Sequence, residues 1–145
     1  MIISVNAKIA GDPACFRERL YEIIAEFPEM TWGSTKEVAY TRLCEATESL
    51  DERIEIVVRN PQGHLMGFAV LAHDDDDHVG ECIGTQWHWV SPEARGPVGR
   101  MILRQIFKLA RALEYRVVAY TKRIGVGRYE INYKQLKENT NGQED

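Results

Sequence analysis

A change of period near residue 54 constrains this chain most. Upstream, apolar residues recur at helical spacing in two groups. Phe16, Leu20, Ile23, Ile24 and Phe27 form the first. Asp12-Pro13 is expected to open that helix and Pro28 to end it. Ala39, Leu43, Ala46 and Leu50 form the second, with Ser34 and Glu37 in capping-box positions. From Ile54 the pattern becomes that of strands. Ile54–Arg59 and His64–Ala72 flank the turn residues Asn60-Pro61-Gln62-Gly63 and read as a hairpin. Asp74–Asp77 reads as a second turn, and Val79–Val90 as a long third strand. Val98, Met101, Ile102, Ile106, Leu109, Ala110 and Leu113 then mark an amphipathic helix. Arg116–Thr121 and Arg128–Leu136 read as two more strands, after a first short one at Ile2–Ala7.

The resulting order, β–α–α–β–β–β–α–β–β, predicts an α/β fold of the α+β kind. It has one mixed, mostly antiparallel sheet of about six strands flanked by three helices. At 145 residues the chain suits a single domain, read as 1–137 with a polar tail at 138–145. No apolar run approaches the ~20 residues of a membrane span, and the start lacks the apolar core of a signal peptide. The expected location is therefore cytoplasmic, with no membrane partner. Cys15, Cys44 and Cys82 are widely spaced, with no CxxC pair, which points to buried free thiols rather than disulfides or zinc.

Charge divides the chain. Residues 1–94 hold 7 Lys or Arg against 17 Asp or Glu, whereas residues 95–137 hold 11 against 2. The C-terminal third thus offers a place for an anion, although the net charge is −4. Arg100, Arg104, Lys108 and Arg111 lie on one stripe of the long helix. Little aromatic interleaving accompanies them, so base stacking is not suggested and nucleic acid is not an expected partner. The acidic and basic parts also suit association between copies of the chain. His73-Asp74-Asp75-Asp76-Asp77-His78 has metal-ligand atoms but no glycine to shape a calcium loop. It is read as a solvated hairpin tip, with no metal.

Three pieces of residues 54–114 resemble the GNAT superfamily of acyl-CoA N-acyltransferases. The first is the Asn60–Gly63 turn followed by Met66-Gly67-Phe68. The second is Val90-Ser91-Pro92-Glu93-Ala94-Arg95-Gly96. The third is Gly99-Arg100-Met101-Ile102-Leu103, opening the long helix. The likeness implies a small GNAT-like domain that uses acetyl-CoA to acetylate an amine by direct attack on the thioester. The acceptor is a small molecule or a protein. A glycine-bearing turn from strand to helix presents backbone N–H groups to an anion. By the resemblance, Val90, Arg95, Gly96, Val98, Gly99 and Arg100 would hold the coenzyme pyrophosphate.

The chain also departs from the family pattern. Aligned on Gly99, the loop is one residue short, and Pro97, which has no N–H, replaces a glycine. After Arg116–Thr121 the family's usual C-terminal helix gives way to a turn and a strand. Tyr129 is then the remaining candidate for the acid that protonates the leaving thiolate. Glu81 and His88 are the titratable candidates for the base. Simple alternation puts Glu81, Ile83, Thr85, Trp87 and Trp89 on one face, and Cys82, Gly84, Gln86, His88 and Val90 on the other. These departures leave a second reading open, a catalytically inactive GNAT fold serving as a structural or assembly protein, for example in a phage particle.

Overall fold

The computed structural model describes residues 1–137, so the tail read at 138–145 lies outside the described residues. The strands are β1 (Ile2–Ile9), β2 (Glu52–Arg59), β3 (Leu65–Asp76), β4 (Gly80–Val90), β5 (Val117–Gly125) and β6 (Arg128–Gln135). The helices are α1 (Leu20–Glu26), α2 (Lys36–Glu48) and α3 (Pro97–Ala112). The strands form one sheet in sequence order, β1-β2-β3-β4-β5-β6. All neighbours are antiparallel except β4 and β5, which are joined in parallel through α3. This is the mixed, mostly antiparallel α+β sheet that the period change implied.

Two apolar layers sandwich the sheet. On one face Val98, Ile102 and Ile106 of α3 pack over Ile56, Val58, Ala69, Leu71, Ile83 and Val118. On the other, Phe16, Leu20 and Ile23 cover Val57, Phe68, Val70 and Trp89. Helix α3 approaches most closely at Gly67. A Cβ there would lie 2.9 Å from Val98 Cγ1 and 3.1 Å from the Trp89 carbonyl oxygen. Gly67→Val is therefore expected to cost about 1–3 kcal/mol by overpacking, read as a lowered denaturation midpoint.

Several boundaries differ from the sequence expectation. Asp12 does not cap a helix forward; its Oδ2 accepts from the Ile9 N–H, 3.0 Å. The chain then makes a 3-10 turn over Cys15–Arg19 before α1 begins at Leu20. Helix α2 is capped by Thr35 rather than Ser34: the Thr35 hydroxyl accepts from the Val38 N–H, 3.2 Å. Strand β3 runs on through Asp76, because His73, Asp74 and Asp75 pair in register with Ile83, Cys82 and Glu81.

A buried ion pair ties the N-terminal elements to the sheet. Arg53 and Glu55 are both buried in β2, with Nε donating to Oε2 at 3.1 Å. The guanidinium also donates to the carbonyls of Asp12, at 2.7 Å, and Thr47, at 3.4 Å. Cys44 and Cys82 are buried and Cys15 is partly so, all as free thiols. Burial, and after it the Glu55 carboxylate, pushes the Cys15 thiol far above its ordinary range.

Candidate active site

Strands β4 and β5 pair at only two positions, Ile83 opposite Val118 and Gly84 opposite Ala119, and then separate. A bulge in β4 accompanies the separation. Val70 faces Trp87 and the next residue, Leu71, faces Thr85, which leaves Gln86 as the extra residue. The bulge also corrects the simple alternation. Past Gln86 the parity flips, so His88 and Val90 join Thr85 and Ile83 on the α3 face, while Trp87 and Trp89 turn to the opposite face. Glu81 and His88 therefore share a face after all, at opposite ends of the strand.

A cavity of about 250 Å³ fills the splay. Thr85, His88 and Val90 line it from β4, Gly99, Ile102 and Ile106 from α3, and Tyr120 and Lys122 from β5. His88 Nε2 lies 2.8 Å from the Thr121 carbonyl oxygen and bridges the separated strands. A carbonyl can only accept, so Nε2 carries the proton of that bond. The Thr85 hydroxyl is buried and has no hydrogen-bond partner among the described residues.

The start of α3 stands beside this cavity. Gly96 takes φ +98°, the left-handed region glycine enters without strain, and Pro97 follows as the first helical residue. No side chain caps the helix, and its first ladder bond runs from Arg100 N–H to Gly96 O, 3.0 Å. The N–H groups of Val98 and Gly99 precede that bond and so have no intrahelical acceptor. The Val98 side chain itself belongs to the core.

The two arginines there differ. Arg95 ion-pairs with Glu26 and donates from Nε to Val90 O at 3.2 Å. Glu26 also accepts from Trp89 Nε1 at 3.0 Å, so this cluster fastens the end of α1 to the end of β4. Arg100 is exposed, and no ion pair or hydrogen bond engages its guanidinium among the described residues.

Glu81 and Tyr129 lie elsewhere. Glu81 gathers with His73 and Asp75 at the far end of the β3–β4 ladder, their ligand atoms within 4.8 Å of one another. All three are exposed, and the cluster carries no metal assignment. Tyr129, on β6, donates its hydroxyl to Glu29 Oε2 at 2.9 Å. Glu29 also accepts from Arg123 Nε at 2.6 Å, Arg123 Nη2 at 3.0 Å and the Gly127 N–H at 3.3 Å. Arg123 and Tyr129 face each other in register and alternate with the cavity residues Tyr120 and Lys122, so they project to the opposite side of the sheet.

The Arg123 hydrogen bond, ahead of those from Tyr129 and Gly127, holds the Glu29 carboxyl far below the usual carboxylate range. Burial, and after it the bond to Glu29, pushes the Tyr129 hydroxyl up. Because the Glu29 pKa is depressed on folding, its stabilising contribution is fully present above the ordinary carboxylate range of about 4.3. It is lost as pH falls below that range toward the folded-state value. Glu29→Gln is expected to lower stability at pH 7 and to flatten the loss of stability on acidification. Urea midpoints measured across the acid range check both.

No family model matches the sequence, and no curated protein matches it. Solved structures do. A candidate acetyl transferase from Pyrococcus furiosus superposes with a TM-score of 0.62 at 16% identity, over 88% of this chain and 85% of that one. AAC(6')-Iy, solved with the bisubstrate analogue CoA-S-monomethyl-acetylneamine, gives 0.55 at 13% identity, over 86% and 82%. A candidate acetyltransferase of the GNAT family from Desulfovibrio desulfuricans gives 0.52 at 12% identity, over 83% and 73%. With the six-stranded order and the β4–β5 splay already in place, these likenesses establish the class: the chain has the GNAT fold.

Sequence reading brought His88, Val90, Gly99 and Arg100 to one region of this fold. It missed Thr85, whose hydroxyl had no visible reason to be orphaned. It also missed Tyr120 and Lys122, whose alternation along β5 was the available signal.

Proposed function

We propose that the chain binds acetyl-CoA in the splay between β4 and β5 and transfers the acetyl group to an amine. The observation that carries this reading is the cavity at the splay, lined by Thr85, whose buried hydroxyl has no hydrogen-bond partner among the described residues. An orphaned buried hydroxyl costs free energy unless a ligand supplies its partner. The residues present fit an acyl-CoA: an apolar slot, an unmatched hydroxyl within it, and free N–H groups with an unpaired guanidinium at its mouth. Acetyl-CoA would supply an activated thioester there.

In this reading the Val98 and Gly99 N–H groups and Arg100 hold pyrophosphate oxygens. Thr85 donates its hydroxyl proton to a carbonyl oxygen of the bound acyl chain. Nδ1 of His88, the ring nitrogen without a proton while Nε2 donates to Thr121, takes the proton of the amine as its nitrogen attacks the thioester carbon; the C–S bond breaks and the coenzyme leaves as a thiolate that solvent protonates. Arg95, committed to Glu26, fixes the loop rather than the phosphate. The amine would approach from the α1 and α2 side, where Glu29, Arg123 and Tyr129 stand, and the acidic N-terminal part would steer it. One observation favours the second reading, a GNAT fold used for assembly without catalysis: the His88 bridge ties the strands together at the point where a ligand must enter.

Isothermal titration with acetyl-CoA separates the two. The wild type is expected to bind. Arg100→Ala is expected to weaken binding about tenfold or more, as the loss of a charge-assisted hydrogen bond implies, while Arg95→Ala weakens it less. No heat with the folded wild type would overturn the enzyme reading.

A further inference from the structure

Strand β6 is one edge of the sheet, so one side of its backbone has no partner strand among the described residues. The Leu136 N–H donates to Arg116 O at 2.7 Å, which assigns the even-numbered residues of β6 to bonding with β5. The N–H and C=O groups of Tyr129, Ile131, Tyr133 and Gln135 therefore point outward. Natural edges are blunted by proline, bulges, short length or charged side chains; β6 has eight residues and no proline, and its inner charges, Glu130 and Lys134, are of opposite sign. Its apolar side chains stay uncovered, with Ile131 at 65% and Tyr129 at 51% exposure.

We propose that two copies of this chain join edge to edge through β6, antiparallel, with Asn132 of one copy opposite Asn132 of the other. The charges along the strand favour this register. It sets Glu130 opposite the second copy's Lys134, twice by symmetry, and Ile131 opposite the second copy's Tyr133. The outward-pointing residues, Ile131 with Tyr133 and Tyr129 with Gln135, then exchange the hydrogen bonds. Glu130 and Lys134 fall at the non-hydrogen-bonded positions, where side chains come closest. Centring the pairing on Ile131 instead sets Arg128 against Lys134, a like-charge contact. Within one copy, Glu130 and Lys134 are exposed, and neither side chain makes an ion pair or hydrogen bond among the described residues. The opposite edge, β1, offers no such match, since Lys8 is its one charged residue. The interface is isologous and closes on itself, giving one continuous sheet across the dimer.

Sedimentation of the full chain over a wide concentration range tests this. The wild type is expected to populate a species of twice the 16.6 kDa chain mass that dissociates on dilution. Glu130→Lys sets lysine against lysine at both cross-strand pairs, and Lys134→Glu sets glutamate against glutamate. Each variant is expected to raise the dissociation constant about tenfold or more. In an equimolar mixture of the two variants, unlike copies set lysine against glutamate at both contacts. The mixture is therefore expected to associate like the wild type, although neither variant does so alone. The double variant, Glu130→Lys with Lys134→Glu, restores opposite charges at both pairs and is expected to recover wild-type association. That recovery also shows that both substitutions leave the strand folded. A wild type that stays monomeric throughout would overturn the proposal. So would single variants that associate like the wild type, or a double variant that fails to recover association.

Discussion

Arg53→Ala is expected to lower stability by about 3–5 kcal/mol, the cost of leaving one member of a buried ion pair uncompensated. In a domain of this size each kcal/mol moves the melting temperature by about 2–4 °C, so the drop should be roughly 6–20 °C. The size follows from what the side chain holds. Arg53 is wholly buried beside the Glu55 carboxylate, and its guanidinium satisfies carbonyls of the β1–α1 connection and the end of α2. Removing it strands a buried carboxylate and several buried acceptors together. Replacing both partners, as Arg53→Met with Glu55→Leu, should recover much of the loss, because the lone charge is what costs most. Arg59→Ala is the control. Its ion pair with Glu18, at 2.6 Å, is exposed on both sides and should be worth about 1 kcal/mol or less. Thermal melts of the three variants decide the matter, and an Arg53→Ala melt matching that of Arg59→Ala would contradict this account of the N-terminal half.

Gly99→Leu should separate folding from ligand binding. A Cβ at Gly99 meets nothing closer than Val90 Cγ2, at 4.0 Å. Glycine is also the poorer helix former, by about 1 kcal/mol relative to alanine. The folded protein should therefore keep or slightly raise its stability, with the new side chain occupying the cavity of about 250 Å³. The same side chain would take the place of the acyl chain, so acetyl-CoA affinity should fall about a hundredfold, near 3 kcal/mol. Stability by denaturant and affinity by calorimetry should thus move in opposite senses. Undiminished affinity would mean that acetyl-CoA sits elsewhere.

Much of the fold was legible because periodicity is set by burial. The continuous apolar run of β3 and most of β2, buried on both faces, and the apolar stripe of α3 behind Gly96-Pro97, each reflect surface that must meet the core. Parity along β4 was not legible. No residue type marks the bulge at Gln86, yet that one extra residue carries His88 across to the face of Thr85. The charges at Asp74–Asp77 read as a turn because local propensity favours one, and the pairing of Asp74, Asp75 and Asp76 with β4 overrode it. Thr35 displaced Ser34 as the cap because one hydroxyl serves as well as another there, and the packing of α2 chose between them. The different duties of Arg95 and Arg100 depend on Glu26, far away in sequence, and no local pattern carries that information.

The central claim is that the β4–β5 splay receives acetyl-CoA. Backbone amide NMR spectra recorded during titration with acetyl-CoA test it residue by residue. Saturable shifts are expected at Thr85–Val90, Gly96–Arg100 and Tyr120–Lys122, with β1 and α2 unmoved. A spectrum unchanged at saturating acetyl-CoA, or shifts confined to other elements, would contradict it.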